Sequence, residues 1–293
     1  MNPDQSAQPA VHFRRYNDTP LTAFGGLTPS QMHQLLYDPW GPESPLRLRP
    51  EMPTDVLDQI PFLRLTEELL RIVNRDVSIK LTALGALPGK YLHELYGFGF
   101  ITESSIEAGH TKLHREIDAP GLSTVHHNAV LAGLLRKVHG KLMLTKNGER
   151  LRPPARRTEL MQRVFATFGE KFNWAYHDGY DAPTVGQTGW AYTLLLLLKF
   201  GAEARPLQFY ADKYQQAFPF LLADLPGTAW HTPAEQLLSC YGLRVFEHFG
   251  LWFGLAVIEK YRFGREQADC LVLPTPLLGQ LFELVESVEV GKV

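Results

Sequence analysis

At 293 residues, 45% hydrophobic and 20% charged, the sequence has the size of about two globular domains and enough apolar side chains to bury a core in each. Two cysteines, Cys240 and Cys270, exclude a disulfide framework and fit a reducing compartment. The formal net charge of -2 excludes a uniformly basic protein, but it averages over an uneven distribution. Residues 1–60 carry four Lys or Arg against seven Asp or Glu, residues 61–157 fifteen against nine, and residues 158–293 ten against fifteen. The opening MNPDQSAQPAVHFRR lacks the apolar core of a secretory signal, and the longest apolar run, Trp190 to Leu198, is about half of what a bilayer requires. A soluble cytoplasmic protein with no membrane partner is expected.

Met1 to Pro20 is polar and aperiodic, so a disordered N-terminal segment is expected over residues 1–24. A docking arm follows at 25–60. Thr28, Pro29 and Gln31 read as an N-cap, a first-turn proline and the second half of a capping box. Met32, Leu35 and Leu36 then share one face of a short helix that Asp38-Pro39 ends. A helix of that length is unstable alone and must dock, on its own domain or on a partner chain.

The stretch GLTPSQMHQLLYDPW, Gly26 to Trp40, resembles the opening signature of a largely uncharacterised bacterial family. Members of that family carry winged-helix-like segments downstream and sometimes neighbour SEC-C metal-binding or plasmid-type open-reading-frame domains. LTALGALP at Leu81 to Pro88, GLLRKVHGKLMLTKNG at Gly133 to Gly148 and FNWAYHDGY at Phe172 to Tyr180 are similar to it as well. The resemblance implies a winged-helix-like architecture and no particular activity. No cysteine-rich SEC-C segment is present in the sequence, and no metal site of that kind is implied.

Residues 61–152 read as a first winged-helix-like domain. Phe62, Leu65, Leu69, Ile72 and Val73 fall on one face of a first helix. Ile79 to Leu81 is a strand candidate, and Pro88 opens a second helix with Leu92, Leu95 and Tyr96 inward. Gly97 to Asp118 reads as an irregular insertion. Ser123 or Thr124 is expected to cap a third helix running to Ala132, ended by Gly133. The runs Leu134 to Val138 and Lys141 to Leu144 then flank His139-Gly140, the signal of a tight hairpin, and Thr145 caps a following turn.

LRPPARR, Leu151 to Arg157, cannot continue a helix through two prolines and marks a domain boundary. Residues 158–293 read as a helical domain with a second winged-helix-like unit. Glu159 to Phe172 is helical in pattern, Trp190 to Phe200 is apolar all round, and Leu207, Tyr210, Tyr214 and Phe218 follow a helical spacing. Thr232-Pro233-Ala234-Glu235 starts a helix toward Phe249. Leu251 to Tyr261 and Ala268 to Leu273 read as a hairpin around Arg262 to Gln267, and Thr275-Pro276 begins a last helix. Both halves thus run helix, Gly-Leu, hairpin, Thr, helix. The expected fold class is α+β, mostly helical, with two winged-helix-like domains in tandem and an N-terminal arm.

If the first unit binds double-stranded DNA, Thr124, His126, His127 and Asn128 at the start of its third helix face the base edges. Arg136, Lys137, Lys141, Lys146 and Arg150 then contact phosphates without reading sequence. Against base reading, Ala129 to Ala132 are all apolar, and a helix buried on both sides cannot enter a groove. The competing reading is a protein-interaction or homodimeric module, with Trp252 and Phe253 as interaction residues on an apolar strand, Leu251 to Ile258. Enzyme chemistry has the least support. His110-x-x-x-His114 lacks the glutamate of a metalloprotease helix, and His177, Asp178 and Asp181 have no nucleophile elbow near them. No cofactor or metal motif is recognised, and the two cysteines read as core thiols.

Overall fold

The capping boxes at Thr28 and Thr232 both form, each with the threonine hydroxyl accepting a backbone N–H and the third helical residue reaching back to the cap. The protein is described by a computed structural model over residues 17–176, 178–259 and 267–285. The expected mobile terminus up to Tyr16, His177 and most of the Arg262 to Gln267 loop lie outside the described residues.

The main elements are α1 (Pro29–Tyr37), β1 (Leu46–Leu48), α2 (Pro61–Arg75), β2 (Ile79–Lys80), α3 (Gly89–Tyr96), α4 (Pro120–Leu131), β3 (Leu135–Val138), β4 (Lys141–Leu144), α5 (Lys146–Leu151) and α6 (Arg157–Glu170). They continue as α7 (Trp190–Phe200), β5 (Arg205–Pro206), α8 (Leu207–Ala217), α9 (Pro233–Tyr241), a π-helix (Gly242–Gly250), β6 (Ala256–Ile258), β7 (Leu271–Pro274), α10 (Pro276–Leu281) and β8 (Phe282–Leu284). The fold is α+β, mostly helical, with small antiparallel sheets. Among the described residues no helix is long and apolar enough to cross a membrane.

Two compact units form, and neither is contiguous. One comprises residues 1–49, 174–247 and 256–293; the other comprises 50–173 and 248–255. The second unit runs past the Leu151 to Arg157 segment, where the sequence suggests a boundary, because Pro153 and Pro154 only end one helix before α6 begins at Arg157.

In the unit built on residues 50–173, the three-stranded sheet has the order β2-β4-β3. Ile79 pairs with Leu142, and Leu135 with Leu144, so four apolar side chains share the inner face of the sheet. His139 and Gly140 both take positive φ, 46° and 71°, as a two-residue turn matching strand twist demands. Thr145 then locks the hairpin to α5, accepting from the Gly148 N–H at 3.0 Å and donating to the Gly133 carbonyl at 2.6 Å. A Cβ on Gly148 would run into the carbonyl oxygen of Leu134, so only glycine permits this approach. α4 begins earlier than the sequence suggests, at Pro120, which leaves Ser123 and Thr124 inside the helix and not at its cap. The core joins Phe62, Phe165 and Phe168 to Phe249 and Phe253, with Phe62 stacked on Phe253 at 4.6 Å.

In the other unit α7 is buried from Trp190 to Leu197, as an all-round apolar helix must be. The arm docks within this unit: α1 packs on α7, Trp40 meets Trp190 at 5.3 Å, Lys199 holds the Gly25 carbonyl at 2.6 Å, and β1 pairs with β8. The sheet order β5-β7-β6 repeats the first-third-second arrangement of the other sheet. Both sheets therefore belong to the same run of helix, strand, two helices and hairpin. The second hairpin is shorter than expected, because only Ala256 to Ile258 is strand and Leu251 to Leu255 is helix end and turn.

Two stability outcomes are expected. Gly148→Ala should lower unfolding free energy by about 1–3 kcal/mol through overpacking, read as a lower denaturant midpoint at unchanged slope. Asp178 and Arg244, both almost wholly buried, form an ion pair whose guanidinium also donates to the Ala182 and Val185 carbonyls. Removing one partner leaves an uncompensated charge, so Asp178→Ala should cost about 3–5 kcal/mol in the same assay. A paired replacement by apolar side chains should cost less.

Candidate nucleic-acid interface

The outer face of the β2-β4-β3 sheet carries three of the fifteen basic residues of the middle third. Side chains alternate across a strand and directly opposed residues share a face. Lys80 lies opposite Lys141, Lys141 opposite Val138, and Met143 opposite Arg136, which puts Lys80, Lys141 and Arg136 on one solvent-facing side. All three are exposed, and none makes an ion pair among the described residues. Lys146, at the start of α5, is exposed and likewise without an ion pair there.

Two residues expected to contact phosphate are already engaged. Lys137 faces inward by register and its Nζ donates to the Gly85 carbonyl at 2.9 Å. Arg150 pairs with Glu159 at 2.6 Å and donates to Asn147 at 3.0 Å, lining an open polar cleft with Gly133, Gln162 and Arg163. Lys80 was missing from the sequence-derived set. Its signal was the strand candidate at Ile79 to Leu81, which acquires meaning only with the register against β4.

The third helix differs most from expectation. Thr124, His126 and Asn128 are buried, and His127 is half-buried, so the expected base-reading face is enclosed. α6 covers it, and Asn128 donates its amide to the Val164 carbonyl at 3.1 Å. The physical reason is that α4 packs against α2, α6 and the 116–118 turn, which buries Gly121 to His126, Asn128 and Ala129 and leaves Leu131, at the far end, exposed.

Beneath this cover the polar residues of α4 meet Glu116, a buried carboxylate from the turn Glu116–Asp118 that sequence reasoning did not single out. His126 Nδ1 lies 2.6 Å from Glu116 Oε1, and Glu116 Oε2 accepts the Leu87 N–H at 2.6 Å. Burial pushes the Glu116 carboxyl up, but the His126 ring and the Leu87 amide outweigh it and hold the group below its ordinary value. His127 Nδ1 sits 2.8 Å from the Ser123 carbonyl, and burial holds its imidazole below the ordinary histidine value. One ligating atom from each of Glu116, His126 and His127 lies within 4.8 Å of the others.

The remaining candidates resolve into core and surface. Trp252 and Phe253 are buried in the aromatic core of the 50–173 unit, His248 stacking on Trp252 at 4.3 Å, so they offer no exposed interaction face. Their continuous apolar character reflects a helix end sealed in a core and not a strand. His110 and His114 are exposed and lie outside any helix. Asp178 is committed to Arg244, whose guanidinium also lies beneath the Tyr180 ring. Cys240 and Cys270 are buried, and burial pushes the Cys240 thiol up to about 12, as suits core thiols.

No curated protein and no solved structure matches this chain. The GLTPSQMHQLLYDPW and FNWAYHDGY stretches lie outside the one matched segment, whereas LTALGALP and the Gly133 to Gly148 hairpin lie inside it. That segment, residues 58–159, about a third of the chain and spanning α2 to the start of α6, is similar to the family described as the Y4jL N-terminal domain.

Proposed function

We propose that residues 61–144 form a winged-helix module that attaches to the phosphate backbone of double-stranded DNA through the outer face of its sheet, without reading base sequence. The observation that carries this reading is Lys80 directly opposite Lys141, with Arg136 on the same face. Like charges opposed across strands destabilise a sheet, and a polyanion removes that repulsion while releasing its own counterions. The enclosed α4 argues for backbone attachment and against a recognition helix in the major groove. The repeat of the same element order over residues 190–274 is read as a second winged-helix-like unit with a structural role.

Purified full chain should bind duplex DNA of unrelated sequences with similar affinity, weakening steeply as salt rises. Replacing Lys80 and Lys141 by Ala should flatten the log–log salt slope by about 0.9 per lost phosphate contact, or about two units together. The same double variant should be slightly more stable in the absence of DNA, because the opposed charges are gone. Absence of binding at low salt would overturn the reading, and binding by the double variant with an unchanged slope would move the interface elsewhere.

A second reading, a protein-interaction or self-associating module, draws on Val77 and Leu84, apolar residues on either side of edge strand β2 that are 74% and 97% exposed. It predicts a mass in light scattering that rises with concentration and returns to the monomer value in Leu84→Asp. A constant monomer mass counts against self-association.

A further inference from the structure

Glu116, His126 and His127 have the composition of a metal-ligand set, one carboxylate and two imidazoles. Ligands of a tetrahedral ion held at about 2.0–2.2 Å lie about 3.4 Å apart. The three groups already sit within 4.8 Å of one another, so inward movement of about 1 Å closes them around an ion. Their surroundings are those of held ligands. The Leu87 N–H fixes one Glu116 oxygen, and the Ser123 carbonyl takes His127 Nδ1, which puts the ring's lone pair on Nε2.

A buried ion pair between Glu116 and His126 accounts for part of this arrangement, since it ties the 116–118 turn to α4. It gives no reason for His127 to converge on the same point. A cation that replaces the proton shared by Glu116 Oε1 and His126 Nδ1, and takes His127 as its third ligand, does so, and His127, the least buried of the three, marks the side of entry.

We propose that Glu116, His126 and His127 bind one divalent transition-metal ion of the zinc class, which clamps the 116–118 turn onto α4. Three protein ligands leave the fourth position of a tetrahedral ion to a small non-protein ligand. This site lies on the enclosed side of α4 and is independent of the basic sheet face.

The test uses the full chain, stripped with a chelator, dialysed free of it and titrated with cobalt(II) while the visible d–d bands are recorded. One cobalt per chain, displaced by zinc, is expected, with a rise in the thermal midpoint on loading. His127→Ala should weaken cobalt binding by at least about tenfold while circular dichroism stays native, because this ring is half-exposed. Glu116→Gln should do the same, and His127→Ala decides the matter if that variant fails to fold. His110→Ala with His114→Ala should leave binding unchanged. No stoichiometric cobalt or zinc binding by the wild-type chain, or equal affinity in His127→Ala, would overturn the proposal.

Discussion

The unit built on residues 50–173 depends on enclosing one helix that carries polar side chains. α4 brings a threonine, a histidine and an asparagine into the interior, and burying a polar group is costly unless it is hydrogen-bonded. Glu116 answers His126, the Val164 carbonyl answers Asn128, and the backbone of Leu87 answers Glu116. These bonds recruit the 116–118 turn, the segment after β2 and α6 to the same helix. The packing that buries α4 also keeps its face from solvent, so the need for internal pairing decides which surface of the unit stays open.

That surface is the outside of a sheet whose inside is apolar except at Lys137, which turns its Nζ to the Gly85 carbonyl. Ile79, Leu135 and Leu142 anchor it, and the period of two sends Lys80, Arg136 and Lys141 outward together. The corresponding strand of the other unit sends Val257 outward and has no such charge. Two assemblies with the same order of elements therefore differ in what they present to solvent. Shared architecture does not by itself carry a shared role.

Features written in a few adjacent residues were legible in the sequence. The capping boxes at Thr28 and Thr232, the left-handed Gly133, the His139-Gly140 turn and the apolar helix at Trp190 each rest on local chemistry, and each forms. The sequence also placed the basic hairpin. Features that depend on partners distant in the chain were not legible. Lys80 gains its neighbour through strand register, Glu116 gains His126 through a turn that looked like an insertion, and β1 finds β8 across most of the chain. The run Leu251 to Leu255 misled because unbroken apolarity suits a buried strand and a buried helix end equally well.

The eight residues His248 to Leu255 belong to a unit whose other members end at Asn173. They bring Phe249 and Phe253 to Phe62, Phe165 and Phe168, rings that supply the centre of that core. A fragment cut from the chain at residues 50–173 would thus open a hole lined by aromatic rings. The unit is discontinuous in the gene as well as in the chain. It cannot be moved between proteins as one exon-like segment, and recombination that keeps it intact must carry the intervening residues with it.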